Sequence, residues 1–184
     1  MITALALVGI ISGAVLVLVY VYSKPKIKEN LNAETGRAIQ KIFPNADMAA
    51  VREKAPEVEK SVLPITDNSK KVIGYAFMAE GNGYQGTIKL LVGVNGDFSK
   101  LIGIEVLESS ETPGLGAEIT GDPFKDQFKG LSLSQPIEYV KNQKPETDHQ
   151  IEAITGATIS SRAVVNIING RVEEARKEAK KLGW

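Results

Sequence analysis

The chain has 184 residues, enough for one domain with a real core, and its 22 basic and 22 acidic residues cancel without a long single-sign block, which removes the electrostatic case for nucleic-acid binding. It has no cysteine, which excludes disulfides, thiolate zinc sites, iron–sulfur clusters and cysteine nucleophiles. The one histidine, His149, lies in the polar run KNQKPETDHQ, reads as a solvated loop imidazole, and cannot build a multi-histidine metal site.

At the N-terminus, Ile2 to Ser23 is an apolar run without one charge. As a helix it spans roughly 33 Å, enough for the ~30 Å hydrocarbon layer. It has no basic leader, it is too long for a signal peptide, and no A-x-A-like cleavage site follows. Residues 1–23 are therefore expected to be a retained single-span anchor. Gly9 and Gly13 (GIISG) form a small-xxx-small pair suited to close helix packing. Lys24, Lys26 and Lys28 follow the span, and by the positive-inside rule they favour a cytoplasmic domain.

Residues 24–70 are expected to be a linker and a helical segment. Lys24–Lys28 reads as a short interfacial linker punctuated by Pro25. A helix is expected from Glu29 to Phe43, with Leu31, Ile39, Ile42 and Phe43 as apolar positions, weakened by Gly36 and stopped at Pro44. Residues 45–70, with Pro56 and Pro64, read as helix fragments and loops. The remainder, 71–184, is expected to be one domain. Val72–Ala79, Thr87–Val94 and Leu101–Leu107 are β-branched, apolar runs separated by EGNGYQG and NGDFSK, the pattern of an antiparallel meander. A turn-rich loop, 109–123, follows. Asp122–Phe128 reads as a short helix with Phe124 and Phe128 in the core, and Ile137–Val140 as a further strand. From Arg162 to Leu182 the apolar positions Val164, Ile168, Val172, Ala175, Ala179 and Leu182 recur at helical spacing. Ser160 or Ser161 would cap this helix, and Glu173 with Lys177 would pair across one turn. The expected fold is α+β: an antiparallel sheet with packed helices, preceded by one transmembrane helix.

The segment ITGATISS places Thr155, Thr158, Ser160 and Ser161 around Gly156 and Ala157 just before that helix. A helix start favours an anion by roughly 0.3–2 kcal/mol, and small residues let the backbone approach it. The turn reads as a phosphate seat or as a Ser/Thr-rich cap; the residues alone leave both open. Arg162 either neutralises that phosphate or is a solvated first-turn residue. GATIS lacks the spacing and lysine of a P-loop, and GLG at 114–116 lacks the third glycine of a dinucleotide fingerprint.

Three stretches in order, GNGYQG (81–86), ETPGLG (111–116) and EAITGATISSRAV (152–164), together with the N-terminal span, resemble the FMN-binding subunit family. That family comprises the G subunit of Rnf-type electron transport complexes and the C subunit of sodium-translocating NADH:quinone reductases, and the single span and modest length look more like the former. The resemblance implies that Thr158 carries FMN as a phosphoester, seated among Thr155, Gly156, Ala157, Ser160 and Ser161. It further implies that Glu111 and Thr112 are polar neighbours of the flavin, that Leu115 packs on its ring, and that Gly114 and Gly116 admit backbone N–H groups. Tyr84 covers the cofactor or fills a hairpin end. Glu152 stands where the family usually has aspartate. The implied protein carries electrons, with no substrate chemistry or metal of its own. Its partners would be integral membrane and iron–sulfur subunits coupling ferredoxin or NADH oxidation to Na⁺ or H⁺ movement, with a flavin transferase for maturation. The resemblance places the domain on the extracytoplasmic side of the cell membrane, against the lysine count. The alternative is an anchored binding or scaffold module without flavin. A hydrolase using Ser160 or Ser161 is a distant third.

Overall fold

The computed structural model describes residues 2–59 and 61–181, without the side chains at positions 4, 5, 8, 25 and 27–29; Leu182 of the expected last helix lies outside this range. The chain divides into two compact units, Met1–Glu34 and Thr35–Trp184. Helix α1 runs Ile2–Ile42. It passes through the expected linker at 24–28, which is therefore not a break. Proline removes one backbone donor and crowds the preceding turn, but its fixed φ is compatible with a helix, and both flanks are made of helix-tolerant residues. In the first unit Leu7, Ile10, Leu16, Leu18 and Val21 are exposed. Lys24 lies 5.7 Å from the Tyr20 ring centroid and Lys26 lies 4.8 Å from that of Tyr22. Among the described residues no helix is long and apolar enough to cross a membrane.

The second unit is built on a four-stranded antiparallel sheet in the order β1-β2-β3-β4, with β1 Leu63–Thr66, β2 Val72–Asn82, β3 Thr87–Val94 and β4 Leu101–Ser109. The last three match the expected meander. Strand β1 falls where helix fragments and loops were expected. It sits at the sheet edge, where Pro64 can be accommodated, and its proline removes the sequence signal.

Both faces of the sheet are covered, which is why β2 and β3 read as nearly continuous apolar runs rather than alternating ones. Phe77, Leu90 and Val92 face the long helix α4, Thr158–Lys181, where they meet Val164, Ile168 and Val172. On the other face Ala76, Met78 and Leu91 pack with Ile39, Ile42 and Phe43 from the end of α1 and Val51 from α2, Met48–Lys54. A Cβ on Gly93 would lie 2.4 Å from Ile42 Cγ2 and 2.8 Å from the Phe43 ring, so glycine in β3 lets the end of α1 rest directly on the sheet.

Helix α3, Asp122–Lys125, continues as a 3₁₀ turn to Phe128. Phe124 and Phe128 are buried, their rings 5.3 Å apart edge to face. Strand β5, Glu138–Val140, pairs in parallel with β6, Gln150–Glu152. The latter strand supplies the strand expected to lead into the Thr155–Ser161 turn, but its bounds are not legible in the sequence, because three residues carry too little periodicity. Asn169 on α4 ties this pair down, since its side chain accepts from the Ile137 N–H at 2.9 Å and donates to the Ile137 carbonyl at 2.8 Å. The expected solvated His149 is instead largely covered, with 14% of its side chain exposed and Asp148 at 3.4 Å, because the backbone carbonyls of Asp148 and His149 accept from Ser132 and Glu138 and hold the segment against the domain. Glu173 pairs with Arg176 at 3.2 Å, rather than with Lys177.

Candidate functional site: a cavity at the start of the last helix

Three segments distant in sequence meet at the start of α4. The turn 83–86 between β2 and β3 is closed by the Gly83 N–H donating to the Gly86 carbonyl at 2.7 Å. The loop after β4 is drawn together by the N–H groups of Leu115 and Ala117, which both donate to the Thr112 carbonyl. The third segment is the turn from β6 into α4, where Gly156 holds φ +82°, a left-handed conformation that favours glycine. Together they enclose a cavity of about 400 Å³ lined by Tyr84, Glu111, Thr112, Leu115, Gly116 and residues 156–160.

Glu111 joins all three segments. The residue is buried, 6% exposed. Oε1 accepts the N–H of Tyr84 at 2.7 Å and of Gln85 at 3.1 Å, and Oε2 accepts the Ser160 hydroxyl at 2.6 Å. Burial pushes the carboxyl up, but the Ser160 hydroxyl and the backbone N–H groups of Gln85, Tyr84 and Gly86 outweigh it and hold the group below the ordinary glutamate value. The carboxylate is tightly enclosed, since a Cβ on Gly83 would lie 2.1 Å from Oε1 and one on Gly116 would lie 2.4 Å from Oε2. A second link joins the loop to the hairpin, where the Thr112 hydroxyl donates to the Gln85 side-chain oxygen.

Thr158 opens α4 and is half-buried on the cavity wall. The N–H groups of Thr158, Ile159 and Ser160 make no backbone hydrogen bond among the described residues, as the first turn of a helix requires. The helix therefore begins four residues before the expected Arg162. This corrects the roles of two serines. Ser160 donates to Glu111, and Ser161 donates to the Ala157 carbonyl at 3.0 Å while accepting the Ile154 N–H at 3.1 Å. Neither caps the helix, and both hydroxyls are already engaged.

Of the residues singled out from sequence, Gly114, Thr155 and Ser161 do not line the cavity. Gly114 is exposed with φ +73°. Thr155 faces a separate cavity of about 310 Å³ with Glu118, Gln127 and Glu152. Arg162 lines another depression beyond Ile159, with Asn82 and Asn166, and its side chain has no hydrogen-bond or ion-pair partner among the described residues. Ile159, which lines the cavity, was missed, as was Gln127. The Gln127 side chain accepts the Glu152 N–H at 2.7 Å and donates to the Glu152 carbonyl at 3.2 Å, clasping β6 like a further strand. No local pattern reveals a partner 25 residues away.

The FMN-binding domain family matches residues 83–173, a span that takes in all three segments. The G subunit of the ion-translocating oxidoreductase complex of Methanosarcina acetivorans is 34% identical over 179 residues, covering 94% of this chain and 91% of that protein. The chain belongs to the FMN-binding subunit family. Another relative in this family is the G subunit of the Na⁺-translocating ferredoxin:NAD⁺ oxidoreductase complex of Acetobacterium woodii, 33% identical over 159 residues, 79% of this chain and 76% of that one. In three dimensions the chain is similar to NqrC of Shewanella oneidensis, with a TM-score of 0.58 at 28% identity over 60% of this chain; it spans 54% of that structure.

The residues present fit an FMN. The cavity volume is in the range of small-molecule sites, Tyr84, Leu115 and Ile159 offer exposed apolar surface at its mouth, and a hydroxyl stands at a helix start whose N–H groups are free to meet a phosphate.

Proposed function

We propose that this chain is the membrane-anchored flavoprotein subunit of an ion-translocating ferredoxin:NAD oxidoreductase complex of Rnf type, with FMN joined through its phosphate to the Thr158 hydroxyl. The observation that carries this reading is the position of Thr158: half-buried, at the first residue of α4, on the wall of the cavity that the family's three segments enclose. When bound, FMN supplies a carrier that takes up two electrons and can release them singly.

The protein's part is placement. Gly156 and Ala157 leave the Thr158 hydroxyl open to a flavin transferase. The free N–H groups of Thr158, Ile159 and Ser160 receive the charge left on the phosphodiester. Leu115, Tyr84 and Ile159 supply apolar surface for the ring, and the Glu111 brace keeps loop, hairpin and helix at fixed separation. In this reading residues 2–23 are the span, Tyr20 and Tyr22 with Lys24 and Lys26 mark its interfacial end, and integral membrane and iron–sulfur subunits exchange electrons with the flavin, driving Na⁺ or H⁺ across the membrane. The domain lies on the extracytoplasmic side, where covalent attachment prevents loss of the cofactor to a dilute exterior.

The full chain, produced with a flavin transferase, is expected to gain the mass of one FMN less water by intact mass spectrometry after denaturation, and Thr158→Ala to lack it. A wild type without the adduct overturns the attachment and returns the scaffold reading. Protease protection of the domain in intact cells overturns its placement.

A further inference from the structure

Of the ten residues lining the cavity, Glu111 alone is charged. The residue is buried, and every donor its carboxylate meets is neutral: one hydroxyl and backbone N–H groups. Among the described residues no lysine or arginine pairs with it. Hydrogen bonds of this kind stabilise a charge without cancelling its field. The charge is also held in place, by the hydrogen bonds from Tyr84, Gln85 and Ser160, while it packs against the bare backbone of Gly83 and Gly116.

We propose that Glu111 sets the reduction potential of the flavin in this cavity, holding it below the value the same cavity would give without that charge. The inference rests on FMN occupying this cavity, as proposed above. Reduction adds two electrons from a protein electron carrier and one proton from solvent, leaving the reduced flavin with one negative charge on its ring; a second proton neutralises it. A fixed negative charge alongside opposes that added charge, and it does so strongly where little water intervenes. The positive end of α4 acts in the other direction, but it serves the phosphodiester at Thr158. The fold thus sets the helix start beside the phosphate and, among the described residues, only neutral donors and no cation beside Glu111.

The test is a spectroelectrochemical titration of the flavin-loaded full chain in detergent. Glu111→Gln keeps the shape and removes the charge, and its midpoint is expected to rise by a tenfold or larger change in the two-electron equilibrium, about 30 mV. Ser160→Ala removes a donor whose positive end faces the carboxylate, so its midpoint is expected to fall. Glu146→Gln, an exposed carboxylate outside the cavity, is the control expected not to shift. A site that has merely loosened moves both cavity variants in the same direction, towards free FMN, and that result overturns the proposal, as does an unchanged midpoint in Glu111→Gln. Should Glu111→Gln fail to hold flavin, the Ser160→Ala titration decides: a fall supports the proposal and a rise or no change overturns it. Intact mass separates the two readings. Flavin present but not bonded to Thr158 removes the attachment while the midpoints still decide the role of Glu111, and a wild type without any flavin removes both.

Discussion

Gly83 and Gly116 answer to one carboxylate. A methyl group at either position would stand within 2.4 Å of a Glu111 oxygen, and that oxygen cannot retreat without breaking hydrogen bonds to Tyr84, Gln85 or Ser160. Gly116→Ala is therefore expected to destabilise the domain by about 1–3 kcal/mol, as overpacking does, read as a lower urea midpoint with an unchanged slope. An Ala variant as stable as the wild type would mean that the carboxylate has room to move. The same carboxylate gives a pH dependence of definite sign. Its folded pKa lies below the ordinary value, so its stabilisation is fully present above the unfolded value of about 4.3 and is lost as pH falls through the lower folded value. The stability gap between wild type and Glu111→Gln is expected to be widest near pH 6 and to narrow below about pH 4. A gap that stays constant down to the acid limit would assign the effect to shape rather than charge.

At the level of elements, the site depends on how β6 is held. Three residues of parallel pairing are a weak anchor, and the clasp by Gln127 satisfies both backbone groups of Glu152. Gln127→Ala is expected to cost about 1–3 kcal/mol, the penalty for leaving such groups unpaired. It should also speed amide exchange around Glu152 and lower the flavin content of the purified chain. Unchanged exchange there would remove Gln127 from the positioning of the turn. The elements most legible in the sequence are those with long periodic signals, β2, β3, β4 and most of α4. Strand β1 is hidden by Pro64, β6 by its brevity, and the first turn of α4 by its hydroxyl residues, which read as loop. In the candidate site, the motif residues could be found from their resemblance to the family. What they do to one another could not: Glu111 meets Tyr84 and Ser160 across 27 and 49 residues, and no local pattern encodes a contact at that separation. Family motifs imply that Glu111 is a polar neighbour of the flavin; the geometry adds that it braces hairpin, loop and helix.

At the scale of the whole chain, the boundary between the two units decides what the domain needs to fold. Every described residue that lines the cavity lies between 84 and 160, within the second unit. The second unit nevertheless begins inside α1, at Thr35, because Ile39, Ile42 and Phe43 cover the sheet face opposite α4. Each such side chain is worth roughly 1.5–3 kcal/mol when buried, so the three together supply about 5–9 kcal/mol, comparable to the roughly 5–15 kcal/mol net stability of an ordinary domain. A chain shortened to residues 35–184 is therefore expected to melt cooperatively and, produced with a flavin transferase, to carry flavin. One shortened to 44–184 is expected to expose the sheet face and aggregate or unfold, although every residue of the cavity is still present. Differential scanning calorimetry and intact mass on the two shortened chains make the comparison. If 44–184 were as stable and as fully loaded as 35–184, the last turns of α1 would be decoration on the sheet. The close approach of Ile42 and Phe43 to the bare backbone of Gly93 argues instead that they complete the core on which the cavity stands.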